Sequence, residues 1–112
     1  MKDEIIERRE EMIELFDAYG ELLTKTQQDL FKEYYLYDLS LSEIAEDRAI
    51  SRSAVNDTLK KAIAKLEETE SKIKLVKTKK SMQKRVEKLE KAKTNEEKEE
   101  ALDSLKEYIN GI

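Results

Sequence analysis

Cysteine, histidine, proline and tryptophan are absent from this 112-residue chain, and glycine occurs only at Gly20 and Gly111. Without cysteine there is no disulfide and no thiolate metal site, which fits a reducing compartment. Without histidine as well, the commonest general base, nucleophile and metal ligands are missing. No G-x-x-x-x-G-K-[ST] loop is present to cradle a nucleotide. An enzyme is therefore not expected, nor a cofactor or a metal. The many carboxylates are accounted for by Glu–Lys pairs four residues apart on helix surfaces. No apolar run approaches the roughly 18 residues of a membrane span, and residues 1–10 lack a signal-peptide core. A cytoplasmic protein with no membrane insertion is the expectation. With almost no helix breakers and no sustained β-branched alternation, the chain reads as all-α.

Charged residues make up 43% of the chain and hydrophobic ones 38%, so apolar content is confined to narrow stripes. The net charge of −4 conceals a segregation. Residues 1–50 carry 6 basic and 14 acidic side chains (net −8), and residues 51–71 carry 4 of each. Residues 72–93 carry 10 basic and 2 acidic (net +8), and residues 94–112 carry 2 and 6 (net −4). Such segregation bears on partners more than the total does.

The organising stretch is 39–66. Ser40 stands three residues before Glu43, a capping box that starts a short helix with Leu41, Ile44 and Ala45 inward. Ser51 then caps a second helix, whose Val55, Leu59, Ala62, Ile63 and Leu66 make one apolar face. A short helix, a tight turn and a longer capped helix make a helix-turn-helix. The turn reads Arg48-Ala49-Ile50, where Gly or Asn is usual; a left-handed Ala49 there costs about 1 kcal/mol.

Around this motif the spacing predicts a first helix over 3–19. Ile5, Ile6, Arg9, Met12, Ile13, Phe16 and Tyr19 line one side, and Gly20 is a left-handed C-cap. Leu22 and Leu23 are expected buried in a short connection. Thr24 and Gln27 form a capping box for a helix through Asp38, with Leu30, Phe31, Tyr34, Tyr35 and Tyr37 as core and boundary packing. From Ser51 the chain is helix-compatible to about Lys93. The stripe Val55–Leu59–Ala62–Leu66–Thr69–Ile73–Val76 is one residue out of register with Met82–Val86–Leu89. Residues 77–81, which have no apolar side chain, are where a rod would bend or break. Thr94 starts a last helix with Ala101, Leu102, Leu105, Tyr108 and Ile109 on its face, ended by Gly111. Five or six helices result. Residues 1–67 read as the helix-turn-helix bundle and 68–112 as a charged helical extension. Its thin stripes call for packing or dimerisation, so a homodimer is expected.

Residues 22–66 resemble region 4 of the bacterial σ factors of RNA polymerase. Residues 12–66 are more closely similar to the YlxM family of small bacterial proteins. The pattern is carried by Glu14-Leu15-Phe16-Asp17, Tyr19, Leu22-Leu23-Thr24, Gln27, Tyr34-Tyr35, Asp38, Ser40-Leu41, Glu43-Ile44-Ala45-Glu46, Ser51-Arg52, Ala54-Val55 and Asp57. The resemblance implies a σ-region-4-like bundle with a helical tail and a regulatory role in the signal recognition particle pathway. Where promoter-reading σ factors carry Arg with Gln or Glu, the outward positions here are Arg52, Ser53, Asn56, Asp57 and Lys60.

For DNA, Arg52 suits guanine and Asn56 adenine in the major groove, while Ser51, Ser53, Lys60 and Lys61 suit phosphates. Asp57 and the acidic first half oppose tight autonomous binding. Lys72, Lys74, Lys77, Lys79, Lys80, Lys84 and Arg85 form a second candidate set, for RNA backbone or an acidic protein surface. Without interleaved aromatics they suit phosphate rather than base recognition. Two readings follow: a DNA-binding regulator in the signal recognition particle pathway, or a non-catalytic accessory contacting that particle's protein or RNA.

Overall fold

Hydroxyl caps open four of the helices. Thr24 Oγ1 accepts from the Gln27 amide at 3.2 Å while Gln27 Oε1 accepts from the Thr24 amide at 3.0 Å. Ser40 and Glu43 exchange the same pair of bonds, both at 3.1 Å. Ser51 accepts from Ala54 at 3.0 Å and Thr94 from Glu97 at 3.1 Å. Each cap contributes about 1 kcal/mol.

The computed structural model describes the backbone of residues 2–111 and the side chains of residues 8–111. Among the described residues there are six α-helices and no strand, so the all-α expectation holds. They are α1 (Lys2–Tyr19), α2 (Lys25–Phe31), α3 (Leu41–Arg48), α4 (Arg52–Ile73), α5 (Leu75–Lys91) and α6 (Asn95–Asn110). A 3-10 turn (Gly20–Leu22) precedes α2 and a π-helical segment (Lys32–Leu36) follows it. The chain divides into two compact units, Met1–Lys74 and Leu75–Ile112.

The first unit is built on α4. Its Val55, Leu59, Ala62 and Leu66 are buried, as the three- and four-residue spacing requires. Val55 and Leu59 join Leu30, Ile44 and Ala45 in one cluster, against which Tyr34, Leu39 and Leu41 pack half-buried. From α1, Met12, Leu15 and Tyr19 are buried, and the Tyr19 hydroxyl donates to Glu70 Oε1 of α4 at 2.6 Å. Ile5 and Ile6 lie outside the residues whose side chains are described. The Phe16 ring stacks on Phe31 with centroids 4.4 Å apart and planes 6° from parallel, and Phe31 in turn meets Tyr35 at 4.6 Å.

Four details differ from the sequence expectation. Gly20 is not left-handed; no glycine here has positive φ. It is small for another reason: a Cβ there would stand 3.0 to 3.2 Å from three carbons of the Phe16 ring. Leu22 is 58% exposed, because the 3-10 turn points it outward while Leu23 turns in. Gln28 Nε2 closes that turn by donating to the carbonyls of Gly20 and Leu23. Tyr37 is 65% exposed rather than packed. The wider π turn, in which the Tyr37 amide donates to Lys32 at 2.9 Å, rotates it off the inner face. Finally, α4 ends at Lys74 (φ 57°), whose amide donates to Glu70 at 2.8 Å. The run 77–81 is inside α5, since lysine is a good helix former without any apolar neighbour. One left-handed residue thus ends α4 within the first stripe, between Ile73 and Val76.

The second unit is an antiparallel helical hairpin, α5 and α6, joined through residues 92–94. Arg85 bridges it: its guanidinium lies 4.3 Å over the Tyr108 ring and donates to Ser104 Oγ at 3.1 Å. Ala101 is the single buried apolar residue among the described residues of this unit.

Two stability outcomes are expected. Replacing Gly20 by Ala displaces the Phe16 ring from its stack and costs roughly 1 to 3 kcal/mol in chemical denaturation. An unchanged midpoint would show the ring moves freely. Replacing Ala49 by Gly stabilises the fold by about 1 kcal/mol, because only the alanine is strained in the left-handed region. A lower urea midpoint for that variant would contradict the turn geometry.

Candidate nucleic-acid interface

The α3–turn–α4 unit is closed by backbone geometry rather than by glycine. Ala49 adopts φ 54°, ψ 42°, so the sequence expectation of a left-handed alanine is met. The Ile50 amide donates to Ala45 at 3.0 Å and the Ala49 amide to Glu46 at 3.2 Å, the pattern of a Schellman close. Arg48, the last residue of α3, donates from Nε to Glu33 Oε2 at 2.8 Å and so ties α3 to the π segment. That carboxylate raises the guanidinium's pKa above its usual value. Arg48 is therefore part of the scaffold and not a free cation for a ligand.

Burying Val55 and Leu59 fixes what α4 shows to solvent. Ser51, Arg52, Ser53, Asp57, Lys60 and Lys61 are exposed, and Asn56 is half-buried at the margin. At 100° per residue, Ser53, Asp57 and Lys60 cluster opposite Val55, with Lys61 on one flank and Asn56 on the other. Among the described residues none of Arg52, Lys60 and Lys61 takes part in an ion pair. The Ser51 oxygen is occupied as the cap acceptor, which leaves its hydroxyl hydrogen to donate outward. The six α4-proximal candidates thus sit on one end of one helix. Asp57 sits among them.

The second candidate set is not one surface. Lys72 pairs with Glu68 at 3.0 Å and Lys74 is the left-handed residue ending α4, both in the first unit. Lys77, Lys79, Lys80 and Lys84 are exposed on α5 in the second unit. Arg85, also on α5, is engaged by Tyr108 and Ser104. Between α5 and α6 lies an open cleft of about 480 Å³, where Lys84, Lys88 and Lys91 face Glu87, Glu97 and Glu100. Its charges balance, and Glu87 and Lys91 are already paired at 2.8 Å. Among the described residues no group of three acidic side chains is placed to hold a metal. The sequence reading missed the Arg85–Tyr108 contact and the exposed pair Leu36–Tyr37 beside the π segment. Only the cationic Arg85 spaced from an aromatic face hinted at the first; nothing signalled the second.

Comparison with known proteins gives this architecture a family. A family model described as "Putative helix-turn-helix protein, YlxM / p13 like" (UPF0122) matches residues 6–106. The chain belongs to the UPF0122 family. A UPF0122 protein of Bacillus mycoides is 39% identical over 108 residues, 96% of each chain. One from Caldanaerobacter subterraneus subsp. tengcongensis is 49% identical over 75 residues, which is 67% of this chain and 64% of that relative. One from a Thermoanaerobacter species is 47% identical over 77 residues, covering 69% of this chain and 66% of the relative. The chain therefore spans just under two thirds of the last two relatives and nearly all of the first. The family match extends well past the resemblance over 12–66, into α6. Among the described residues, no helix of this family member is long and apolar enough to cross a membrane.

The cap that starts α4 is testable alone. Replacing Ser51 by Ala is expected to cost about 1 kcal/mol and replacing it by Gly only a few tenths, measured by urea unfolding. An unchanged urea midpoint in both variants would mean that the Ser51–Ala54 bond contributes nothing.

Proposed function

We propose that this UPF0122 protein is a non-catalytic regulator that binds duplex DNA through the N-terminal half of α4. The observation supporting this is the exposed, unpaired set Arg52, Lys60 and Lys61, beside Ser53 and Asn56, at the start of the second helix of a helix-turn-helix. That position is the one such motifs insert into the major groove. Arg52 is the bidentate reader of guanine and Asn56 of adenine; Ser51, Ser53, Lys60 and Lys61 hold phosphates. Asp57 accepts from a cytosine amino group if its register meets one, and otherwise repels the backbone. With 4 basic and 4 acidic side chains over 51–71, affinity is modest and selectivity depends on few contacts. By its family resemblance, the regulated process is the signal recognition particle pathway.

A second reading rests on a separate observation, the exposed Lys79 and Lys84 of strongly basic α5. On it the protein is an accessory of the signal recognition particle that contacts its RNA or protein without reading DNA. One gel-shift series separates the two. Genomic DNA fragments and particle RNA are titrated with the protein at about 50 and 150 mM salt. Replacing Arg52 by Ala is expected to weaken DNA binding by roughly 1 to 3 kcal/mol and to relax base preference. Replacing Lys60 or Lys61 by Ala lowers the salt slope by about one unit each. Absence of any DNA shift at low salt, with RNA retained until Lys79 and Lys84 are changed to Gln, would replace the first reading by the second.

A further inference from the structure

The α5–α6 hairpin leaves part of its apolar stripe open to solvent. Val86, Leu102 and Ile109 are 41%, 40% and 47% exposed in the chain. Met82, Leu89 and Leu105 are half-buried beside them. On α5 the spacing from Met82 to Val86 to Leu89 is four and three residues, and on α6 Leu102, Leu105 and Ile109 are three and four apart. These are the intervals of a helix seam that packs against further helices. Within the hairpin, Ala101 and the Arg85–Tyr108 contact already occupy the face between the two helices. The seam through Val86, Leu102 and Ile109 lies beside that face and is left over.

We infer that this seam is a self-association surface, occupied by the same hairpin of a second copy in a two-fold symmetric four-helix bundle. Charge selects the occupant. Over α5 (Leu75–Lys91) there are 7 basic and 2 acidic side chains, and over α6 (Asn95–Asn110) 2 basic and 6 acidic. A surface with both signs, one per helix, is complementary to itself after a two-fold rotation: each basic α5 lies along the partner's acidic α6. A nucleic acid meets the wrong sign on α6 and no use for the apolar seam. A purely acidic protein surface leaves α6 opposed by like charge. Two helices of about 25 Å on each side also supply the roughly 1,000 Å² that a specific interface requires. The antiparallel bundle is the standard solution for helices with a second unpartnered stripe. Arg85, whose Nε is buried without a hydrogen-bond partner, sits at the edge of this seam. Self-association through the hairpin is independent of what α4 binds.

Sedimentation equilibrium of the full chain between about 1 and 100 µM tests it, since affinities in that range register as a concentration-dependent mass. The wild type is expected to be a dimer whose melting temperature rises with concentration. Leu102→Lys combined with Ile109→Lys places two ammonium groups against the partner's basic α5. It should weaken dimerisation by at least about 100-fold. Both positions are exposed, so circular dichroism of the variant should remain helical. If that variant loses helicity, Leu102→Ser and Ile109→Ser singly replace it, each expected to weaken the dimer at least about tenfold. A wild-type monomer at every concentration overturns the inference. So does a helical variant that dimerises as well as wild type.

Discussion

The apolar seam of α4 is the constraint from which the rest of the first unit follows. Val55, Leu59, Ala62 and Leu66 are all buried, and they touch what α1, α2 and α3 contribute. A helix has 3.6 residues per turn, so fixing one face fixes the opposite face to within a few tens of degrees. No separate device is needed to expose Ser53, Asp57, Lys60 and Lys61, whereas Arg52, nearer the buried face, is open because it stands at the first position of the helix. The former are outward because the seam is inward. The two remaining requirements are a defined start, which Ser51 supplies, and a defined entry angle, which the left-handed Ala49 sets. An alanine in that conformation costs about 1 kcal/mol. A buried cluster of five residues and three half-buried ones, each worth on the order of 1 to 3 kcal/mol, holds it there.

A second layer of packing keeps this arrangement rigid. Phe16 stacks on Phe31, Phe31 meets Tyr35, and Tyr35 meets Tyr34 edge-on at 4.9 Å. The row runs from α1 through α2 into the π segment, which also carries Glu33, the residue that anchors Arg48. Burial of the Tyr35 phenol raises its pKa, with the neighbouring Tyr34 adding to the shift, so the neutral ring is the form the fold accommodates. Gly20 enters this row only as an absence, the missing methyl that leaves Phe16 room. Glu33, in the π segment, and Arg48, which donates to it, are fixed by their ion pair.

Local chemistry was legible in the sequence; geometry that depends on how a turn winds was not. Ser40–Glu43, Thr24–Gln27, Ser51 and Thr94 announce helix starts because a hydroxyl three residues before an amide has only one good use. The α4 stripe announces itself by spacing. Leu22 and Tyr37 were misplaced because a 3-10 turn and a π turn change the residues per turn, and no residue type marks either. Gly20 was read through its freedom at positive φ, whereas its neighbour Phe16 demands its size. The end of α4 at Lys74 was hidden for a related reason. Lysine is not a residue that favours the left-handed region, and the apolar spacing continues across it from Ile73 to Val76. The exposure of the α4 cations follows from the sequence pattern. Lys72, Lys74 and Arg85 take on other tasks through contacts that no local pattern announces.

Electrostatics then sets what kind of recognition such a surface supports. Residues 1–50 carry a net −8 and the recognition segment is balanced. A polyanion approaching α4 therefore meets a field that repels at long range and attracts only on contact. Screening over about 8 Å at physiological ionic strength removes most of the repulsion and would leave the proposed contacts by Arg52, Lys60 and Lys61 intact. At very low ionic strength the repulsion reaches about 30 Å and works against encounter. Counterion release by the same three cations works in the opposite direction. The two terms offset, so the proposed DNA contact would carry little of the indiscriminate affinity that basic domains show. Binding at such a surface must come from complementarity at a few positions, with Asp57 penalising every register that brings it to a phosphate. Under the proposed function, an acidic body and a carboxylate on the exposed face of α4 act as selectivity devices.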